Sequence, residues 1–320
     1  MKEQNNPILH EKVRIKQLTS KFAIDLMVDS ILDSSGVLKQ GLRYRIFQAT
    51  KLMPHATKLV AYHTEKKRAI GFLSLEENTD WLYSIKYVFV DPNYRKMGVA
   101  TRLLKYAMIL AEEKGAKKVN LNVYLTETRT IDLYKKLGFK KTGSTLLGQG
   151  SLSGFAPLRM IKRAIAGLTY LSKLTPIKQG QLFKLKTNSR KNREMLFGIY
   201  QHCIDKKWID FFEINANNLQ NGSRHVWQPP FFKDVLINDS ANSFALIFSD
   251  PFFQKVTVEL YGTSDVIILS TLENLLEILV NRGISFTQIT LFNLHNNVIS
   301  NWFQNKGMGT FQFASMGKTL

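Results

Sequence analysis

The sequence WLYSIKYVFVDPNYRKMGVATRLLKYAMILAEEKGAKKVNLNVYLTETRTIDLYKKLGF, residues 81–139, decides the fold of the chain. Tyr83 to Val90 alternates apolar and polar residues and is rich in β-formers, which predicts a strand. The next three residues, Asp91-Pro92-Asn93, end this strand because proline lacks an amide donor and favours a turn. Beyond Gly98, leucine and alanine recur at helical spacing, which predicts a helix with one buried face (Leu103, Leu104, Ala107, Leu110 and Ala111).

The turn between this strand and helix reads Arg95-Lys96-Met97-Gly98-Val99-Ala100. Two cations therefore precede a glycine at the expected N-terminus of the helix, where free backbone N–H groups and the positive end of the helix dipole favour an anion. Because Gly98 has no side chain, a diphosphate can approach the backbone closely. The turn is thus a candidate phosphate site, with an ordinary solvated basic turn as the alternative.

The motifs within residues 90–139, in their order along the chain, resemble those of the GCN5-related N-acetyltransferase (GNAT) superfamily. Arg95, Gly98 and Ala100 fill its acyl-CoA loop pattern, Arg/Gln-x-x-Gly-x-Gly/Ala, and Val90-x-Pro92 precedes the loop. Downstream, residues 131–139 read I-x-L-Y-x-K-x-G-F, as in the family. The resemblance implies an α/β (α+β) chain with a GNAT fold, in which a central, mixed, mostly antiparallel sheet is flanked by helices.

The resemblance also implies roles for individual residues. Tyr134 matches the family tyrosine that lies near the CoA sulfur and protonates it, with a purely packing role as the alternative. Glu127 stands where the family usually has an asparagine that contacts pantetheine. The expected acetyl-CoA site comprises the backbone of the motif strand, the pyrophosphate loop and a hydroxyl that follows it (Val88, Phe89 and Val90; Arg95, Lys96, Met97, Gly98, Val99 and Ala100; Thr101).

The sequence departs from the family where a general base is expected. Many relatives carry a glutamate on the motif strand or the next strand, and the matching positions here are Lys86 and Asn122. A lysine is normally protonated and an asparagine has no titratable proton, so neither suits a base. Glu76, Glu77 or a chain of waters remain as alternatives, and the sequence does not choose among them.

The rest of the N-terminal half predicts further elements. Alternation predicts strands at Val13–Leu18, Lys58–His63, Ala69–Leu75 and Phe139–Leu146, and helical spacing predicts helices after Ser20 and at 41–53. Turn residues indicate a turn at 76–80, and the small residues at 148–154 indicate a flexible segment.

Composition restricts the class of protein. The chain has 320 residues, of which 44% are apolar and 22% charged, as in an ordinary soluble globular protein. Its single cysteine, Cys203, excludes an internal disulfide and a CxxC pair, which fits a reducing cytoplasm. The six histidines show no ligand spacing, so we expect no metal, and no signal peptide or membrane span is evident. We therefore expect a cytoplasmic protein.

The net charge of +19 is concentrated in one half of the chain. Residues 1–180 hold 31 basic and 14 acidic residues, a net charge of +17, whereas residues 181–320 hold 13 and 11, a net charge of +2. Such asymmetry can mark binding to nucleic acid, to the ribosome or to an acidic substrate. The alternative is that CoA phosphates require part of the charge and the remainder is a solvated surface.

The C-terminal half carries a faint echo of the motif region. When Tyr134 is set opposite Phe303, an offset of 169 residues, Gly138 falls opposite Gly307. Strands are expected at 243–248, 256–261, 266–269 and 289–292, with a helix at 271–281. No R-x-x-G-x-A string occurs between Tyr261 and Gly283, so a second GNAT-like domain would lack an acyl-CoA loop. An unrelated α/β domain is the alternative.

These observations predict a GNAT domain at 1–165, a basic linker at 166–180 and a degenerate GNAT-like or other α/β domain at 181–320. The expected function is an acyl-CoA-dependent N-acyltransferase, which passes acetyl from acetyl-CoA to a primary amine on a protein or a small molecule. The alternative is a non-catalytic module that senses acyl-CoA or binds nucleic acid. Tandem GNAT proteins that transfer other acyl groups form a third interpretation, which the well-formed acyl-CoA loop disfavours.

Overall fold

A computed structural model describes residues 12–18, 56–151, 182–185, 189–219, 232–250, 255–281, 286–292 and 297–320. The helices expected after Ser20 and at 41–53, and the linker expected at 166–180, lie outside them. The proposed domain boundary at residue 165 also lies outside, so the division into domains stays a prediction.

The described residues form twelve strands and six helices, together with a 3₁₀ turn at Pro92–Tyr94. The strands are β1 (Val13–Leu18), β2 (Thr57–His63), β3 (Arg68–Thr79), β4 (Leu82–Val90), β5 (Lys118–Tyr124), β6 (Lys140–Ser151), β7 (Leu182–Lys184), β8 (Phe232–Asn238), β9 (Ser243–Asp250), β10 (Lys255–Gly262), β11 (Phe286–Phe292) and β12 (Gly309–Thr319). The helices are α1 (Val99–Glu113), α2 (Thr128–Lys136), α3 (Arg190–Cys203), α4 (Lys206–Phe212), α5 (Asp265–Asn281) and α6 (Asn297–Asn305).

The chain folds into two compact units that do not follow a single cut in the sequence. Among the described residues, the first unit comprises those up to Val123, then Glu127–Lys141 and Met316–Leu320. The second comprises Tyr124–Thr126 and the described part of Thr142–Ser315. Most of β6, which directly follows the family motif in sequence, therefore belongs to the second unit, and the last five residues belong to the first.

In the first unit, β1, β2, β3 and β4 are successive antiparallel neighbours, and β5 runs parallel to β4. Helix α1 buries Leu103, Leu104 and Ala107 against one face of this sheet. The approach is close at Gly71 on β3, where an added Cβ would lie 3.0 Å from Leu103 Cδ1 and 3.1 Å from Val99 Cγ1. The sheet is thus mixed and mostly antiparallel, as expected.

Strand β4 contains a bulge near its carboxyl end. Phe72 of β3 pairs with Phe89 and Ser74 pairs with Lys86, so two residues of β4 lie opposite one of β3. Tyr87, within the bulge, has a φ of 55°, in the left-handed region that a non-glycine residue rarely adopts. The bulge changes the direction of the strand three residues before β4 ends at Val90.

In the second unit, β6 pairs with β11, and β11 runs parallel to β10. The antiparallel neighbours β9, β8 and β7 follow in that order. A core of leucine, isoleucine and valine side chains packs α5 against this sheet. The parallel pair with an intervening helix repeats the β4–α1–β5 arrangement of the first unit, as the GNAT-like interpretation of this half requires.

Three local expectations were wrong. Residues 266–269 belong to helix α5, not to a strand, because the apolar pattern continues at helical spacing to residue 281. Residues 76–79 extend β3, so the turn comes later, at Asp80-Trp81. Gly148, Gln149, Gly150 and Ser151 continue β6 in full register with β11 and are not a flexible segment.

The described residues offer neither a metal-binding cluster nor a helix that could cross a membrane. No group of three or more His, Cys, Asp or Glu side chains there could hold a metal ion. In the same residues, no helix is long and apolar enough to cross a membrane.

Candidate functional site

The candidate phosphate loop ends at an uncapped helix N-terminus. Gly98 is the N-cap of α1, with a φ of 78°, and no side chain caps the helix. The backbone N–H of Arg102 donates to the Gly98 carbonyl at 3.0 Å, which closes the first helical turn. The N–H groups of Val99, Ala100 and Thr101 precede this bond and have no partner within the helix. Since the first turn also holds no acidic residue, the electrostatics there favour an anion.

Buried polar contacts fix the position of this loop. The Asp91 side chain is fully buried, accepts a hydrogen bond from the Asn93 N–H at 2.9 Å and forms an ion pair with Arg68 at 2.7 Å. The Asp91 backbone N–H donates to the Ile70 carbonyl at 2.9 Å, and Arg95 Nε donates to the Val90 carbonyl at 3.1 Å. The loop is therefore tied to β3 and to the end of β4.

The residues in the middle of the loop face solvent. Arg95, Lys96 and Met97 are exposed, whereas Gly98, Ala100 and Thr101 are half-buried and Val99 is buried. Lys96 has a φ of 63°, so the loop contains two left-handed residues within three positions. Successive N–H groups in such turns form concave sites that suit anions.

Strands β4 and β5 separate just before the loop. Their parallel pairing runs from Leu82–Lys118 to Ile85–Leu121, and in the described part of the chain it goes no further, although β4 continues to Val90. The open edge of β4 beyond Ile85 is the natural position for an extended ligand that hydrogen-bonds as a strand does.

The register of β4 distinguishes the three backbone residues that the sequence indicates. Because the Asp91 N–H points to β3, alternation directs the backbone groups of Phe89 to β3 and those of Val88 and Val90 away from it, towards the open edge. The Phe89 side chain is buried in an apolar cluster with Val60. Val88 and Val90 thus have the geometry for backbone contacts, and Phe89 has the geometry of a packing residue.

Helix α2 follows β5 and carries the candidate proton donor. Since β4 and β5 are parallel, the segments that follow them lie at the same edge of the sheet. Tyr134 is buried and its ring lies 5.9 Å from that of Phe139. Burial raises the pKa of Tyr134 to about 12, with a smaller contribution from the charge of Glu127. Glu127 is exposed at the N-cap of α2 and makes no capping hydrogen bond.

A polar row on the sheet was not evident from the sequence. Lys58 pairs with Ser74 across β2 and β3, and Ser74 pairs with Lys86 across β3 and β4, so the three side chains share one face. Gly71, Leu73 and Leu75 lie on the other face, which α1 covers. Glu76, next along β3 on the polar face, forms an ion pair with Lys86. Only the strand register brings these residues together.

The corresponding region of the second unit has a different geometry. Only Thr263 and Ser264 separate β10 from α5, whereas eight residues separate β4 from α1. The first turn of α5 contains Asp265, and β10 stays paired with β11 from Lys255 to Leu260. A short connection, an acidic first turn and a closed strand pair do not suit a diphosphate ligand.

Helix α6 nevertheless repeats α2. Both helices have nine residues and both are followed by a left-handed glycine, Gly138 or Gly307. Phe303 is buried as Tyr134 is, but it carries no hydroxyl. The second unit therefore retains the packing of the motif without the group that could transfer a proton.

Comparisons with known proteins agree with this geometry. Residues 25–139 match the model of the acetyltransferase (GNAT) family. An uncharacterised N-acetyltransferase of Methanocaldococcus jannaschii is 30% identical over 104 residues, which are 30% of this chain and 41% of that protein. A peptidyl-lysine N-acetyltransferase of Salmonella typhimurium is 34% identical over 92 residues, 28% of this chain and 55% of that protein.

A solved structure resembles the chain over most of its length. A GCN5-related N-acetyltransferase from Sphaerobacter thermophilus superposes with a TM-score of 0.57 at 12% identity, over 97% of this chain and 96% of that one. At this identity the likeness concerns the fold alone. The two curated relatives match over about half of their own length. The family model, the motifs and the fold are therefore all similar to those of GNAT acetyltransferases, and the family match lies within residues 25–139.

Proposed function

We propose that this protein is an acyl-CoA-dependent N-acyltransferase that transfers acetyl from acetyl-CoA to a primary amine. The observation that carries the proposal is the uncapped, glycine-led N-terminus of α1 beside the open edge of β4. Each of these two features suits a different part of acetyl-CoA, the diphosphate and the pantetheine arm. In the second unit, the equivalent positions offer neither feature.

The residues of the loop suit a diphosphate. The N–H groups of Val99, Ala100 and Thr101 point out of the helix end, and Arg95 and Lys96 add positive charge beside them. A side chain at position 98 would project from a left-handed backbone into the space that the diphosphate needs. Met97 is exposed and would form part of the same surface.

The open edge of β4 would hold the pantetheine arm and the thioester. The backbone groups of Val88 and Val90 would pair with the amides of the arm, and an N–H of this edge would polarise the thioester carbonyl. When bound, acetyl-CoA supplies an acyl group activated by its thioester. Glu127, at the start of α2, would contact the arm from the β5 side.

Tyr134 would provide the proton that the departing thiolate needs. The attack forms a carbon–nitrogen bond and breaks the carbon–sulfur bond, and the Tyr134 hydroxyl donates its proton to the sulfur. The attacking nitrogen releases a proton through solvent, which restores the phenol. A phenol whose pKa is about 12 stays protonated at neutral pH, so Tyr134 is in the form that donates.

The acceptor is proposed more broadly than the acyl donor. A peptidyl-lysine N-acetyltransferase is among the relatives, which favours lysine side chains as a first class to test, followed by protein N-termini and small amines. Binding to nucleic acid or the ribosome rests on the charge of the N-terminal half alone and stays a prediction.

Calorimetric titration with acetyl-CoA tests the proposal, with Ala100→Glu as the informative variant. A glutamate in the first turn of α1 is favourable for the helix but repels a diphosphate, so the variant should fold normally and lose most of its acetyl-CoA affinity. Ala100→Gln has a similar size and no charge, and should lose less. Wild-type protein that fails to bind acetyl-CoA at millimolar concentration would overturn the proposal.

A further inference from the structure

The residues assigned above do not include a group that deprotonates the acceptor amine. Lys86 and Asn122 stand at the positions where relatives place a glutamate, and neither carries a carboxylate. The acceptor amine is itself protonated at that pH, since alkyl ammonium groups titrate near pH 10. A proton acceptor must therefore come from another element.

Strand β3 supplies a carboxylate at the place where β4 and β5 separate. Glu76 pairs with Ser84 of β4, and Ser84 pairs with Asn120 of β5, so these three residues form one level across the sheet. The Ser84 hydroxyl donates to Asn120 Oδ1 at 2.6 Å. The next pair, Ile85 and Leu121, is the last one between β4 and β5. The level of Glu76, Ser84 and Asn120 therefore lies directly before the opening between these two strands.

The carboxylate of Glu76 is directed towards the opening. Its Oε2 forms an ion pair with Nζ of Lys86. Lys86 is the first residue of β4 beyond Ile85, the last residue of this strand that pairs with β5. Both side chains keep contact with solvent, since 24% of the Glu76 side chain and 33% of the Lys86 side chain are exposed. Lys86 thus occupies the usual position of the base and holds a carboxylate from the neighbouring strand beside it.

The other acidic candidate on β3 faces away. Glu77 pairs with Tyr83, whose hydroxyl donates to Glu77 Oε2 at 2.8 Å. By strand alternation Glu77 lies on the opposite side of the sheet from Glu76, the side that α1 covers. The register of β3 therefore separates two residues that are equivalent in the sequence.

We propose that Glu76 is the general base of this acetyltransferase and that Lys86 positions it. The inference rests on the proposed function. The Glu76 carboxylate attracts the acceptor ammonium and takes one of its protons, directly or through a water molecule, and then releases this proton to solvent. The neutral amine attacks the thioester, and Tyr134 protonates the sulfur as described above. The net products are the amide, CoA thiol and one proton.

The charges around Glu76 suit this role. Lys86 on β4 forms an ion pair with Glu76, and Lys58 on β2 also interacts with its charge. Burial lowers the pKa of Lys58, and the charge of Glu76 opposes this effect. Glu76 therefore lies beside two lysines whose charges attract its carboxylate.

The test compares Glu76→Gln with Glu77→Gln in the full chain. Release of CoA thiol is followed from pH 6 to pH 10 with a lysine-containing peptide, a peptide with a free α-amine and spermidine as acceptors. Glu76→Gln should lower kcat/KM about 100-fold or more at pH 7, and the deficit should narrow towards pH 10, where amines deprotonate unaided. Glu77→Gln should stay within about twofold of wild type at every pH.

Two further measurements make the outcomes distinct. Glu76→Gln should bind acetyl-CoA as wild type does by calorimetry, and Glu76→Asp should recover part of the activity with the wild-type pH profile. If the wild-type protein is active and Glu76→Gln is equally active, the role of Glu76 is overturned but the proposed function is not. The same holds if the deficit of Glu76→Gln is equal at all pH values. The role of Glu76 is also overturned if Glu127→Gln shows the pH-dependent loss of activity and Glu76→Gln does not. Absence of acetyl-CoA binding by wild type would overturn the proposed function and, with it, this inference.

Discussion

Replacement of Tyr134 by phenylalanine tests whether this buried phenol transfers a proton or only packs. The change removes one oxygen and keeps the ring that contacts Phe139. If Tyr134 is the proton donor, turnover at pH 7 should fall by about 100-fold or more, which is the usual contribution of a positioned general acid. The dissociation constant for acetyl-CoA should stay within about twofold, because the phenol acts on the sulfur only as the thioester breaks.

The raised pKa of Tyr134 also predicts how the free energy of unfolding depends on pH, which can be measured independently of turnover. Its pKa of about 12 lies two units above the ordinary value of 10.0. The folded state holds this proton more tightly, so the associated stability is complete below pH 10 and is lost as pH rises through 12. Relative to Tyr134→Phe, the wild-type free energy of unfolding should fall by ~1.4 kcal/mol at pH 11 and by ~2.3 kcal/mol at pH 12.

Tyr83 provides a matched control for both measurements. Its pKa is also raised to about 12, by burial first and then by its hydrogen bond to Glu77, but it lies on the sheet face that α1 covers. Tyr83→Phe should reproduce the change in the pH dependence of stability, measured by denaturant unfolding, and leave turnover unchanged. Tyr134 is not the proton donor if Tyr134→Phe keeps turnover within twofold, or if its loss of turnover is matched by an equal loss of acetyl-CoA affinity.

Two further changes test the loop and the second unit. Gly98→Ala and Gly115→Ala each place a side chain at a positive φ at one end of α1. Each should therefore lower the free energy of unfolding by about 1–2 kcal/mol, measured by thermal or denaturant unfolding. Only Gly98→Ala should weaken acetyl-CoA binding, measured by calorimetry. Equal affinities in the two variants would contradict the loop assignment. In the second unit, a Cβ at Gly148 would lie 2.6 Å from the Phe303 ring, so Gly148→Ala should destabilise by about 1–3 kcal/mol and Phe303→Leu should restore part of the loss. Additive effects of the two changes would contradict this packing.

The sequence was sufficient for the elements that depend on local chemistry. The N-terminus of α1 is determined by residues next to one another, since a glycine with positive φ begins the helix and Asp91-Pro92-Asn93 ends the preceding strand. The GNAT family model matches residues 25–139, and the mixed, mostly antiparallel sheet confirms the fold class. The roles of the individual site residues stay predictions.

Local composition was misleading where distant residues decide the conformation. Gly148 and Gly150 suggest flexibility when considered alone, yet both lie in β6 because a helix residue, Phe303, and Met308 occupy the space that side chains would need. The apolar, mostly β-branched run at 266–269 suggests a strand, but the apolar positions that follow it continue a helix with one buried face. In both cases tertiary packing outweighs local propensity.

The candidate base illustrates a limit that composition and spacing cannot overcome. Glu76 and Glu77 are adjacent and chemically identical, and only the register of β3 decides which one shares a face with Lys86. That register includes the bulge at Tyr87, without which Lys86 and Phe89 would lie on opposite faces. The bulge therefore brings Lys86 onto the face of Glu76 while leaving the backbone of Val88 and Val90 directed at the open edge. A single irregularity in β4 thus couples the position of the candidate base to that of the proposed thioester site, and any change that removes it should impair both.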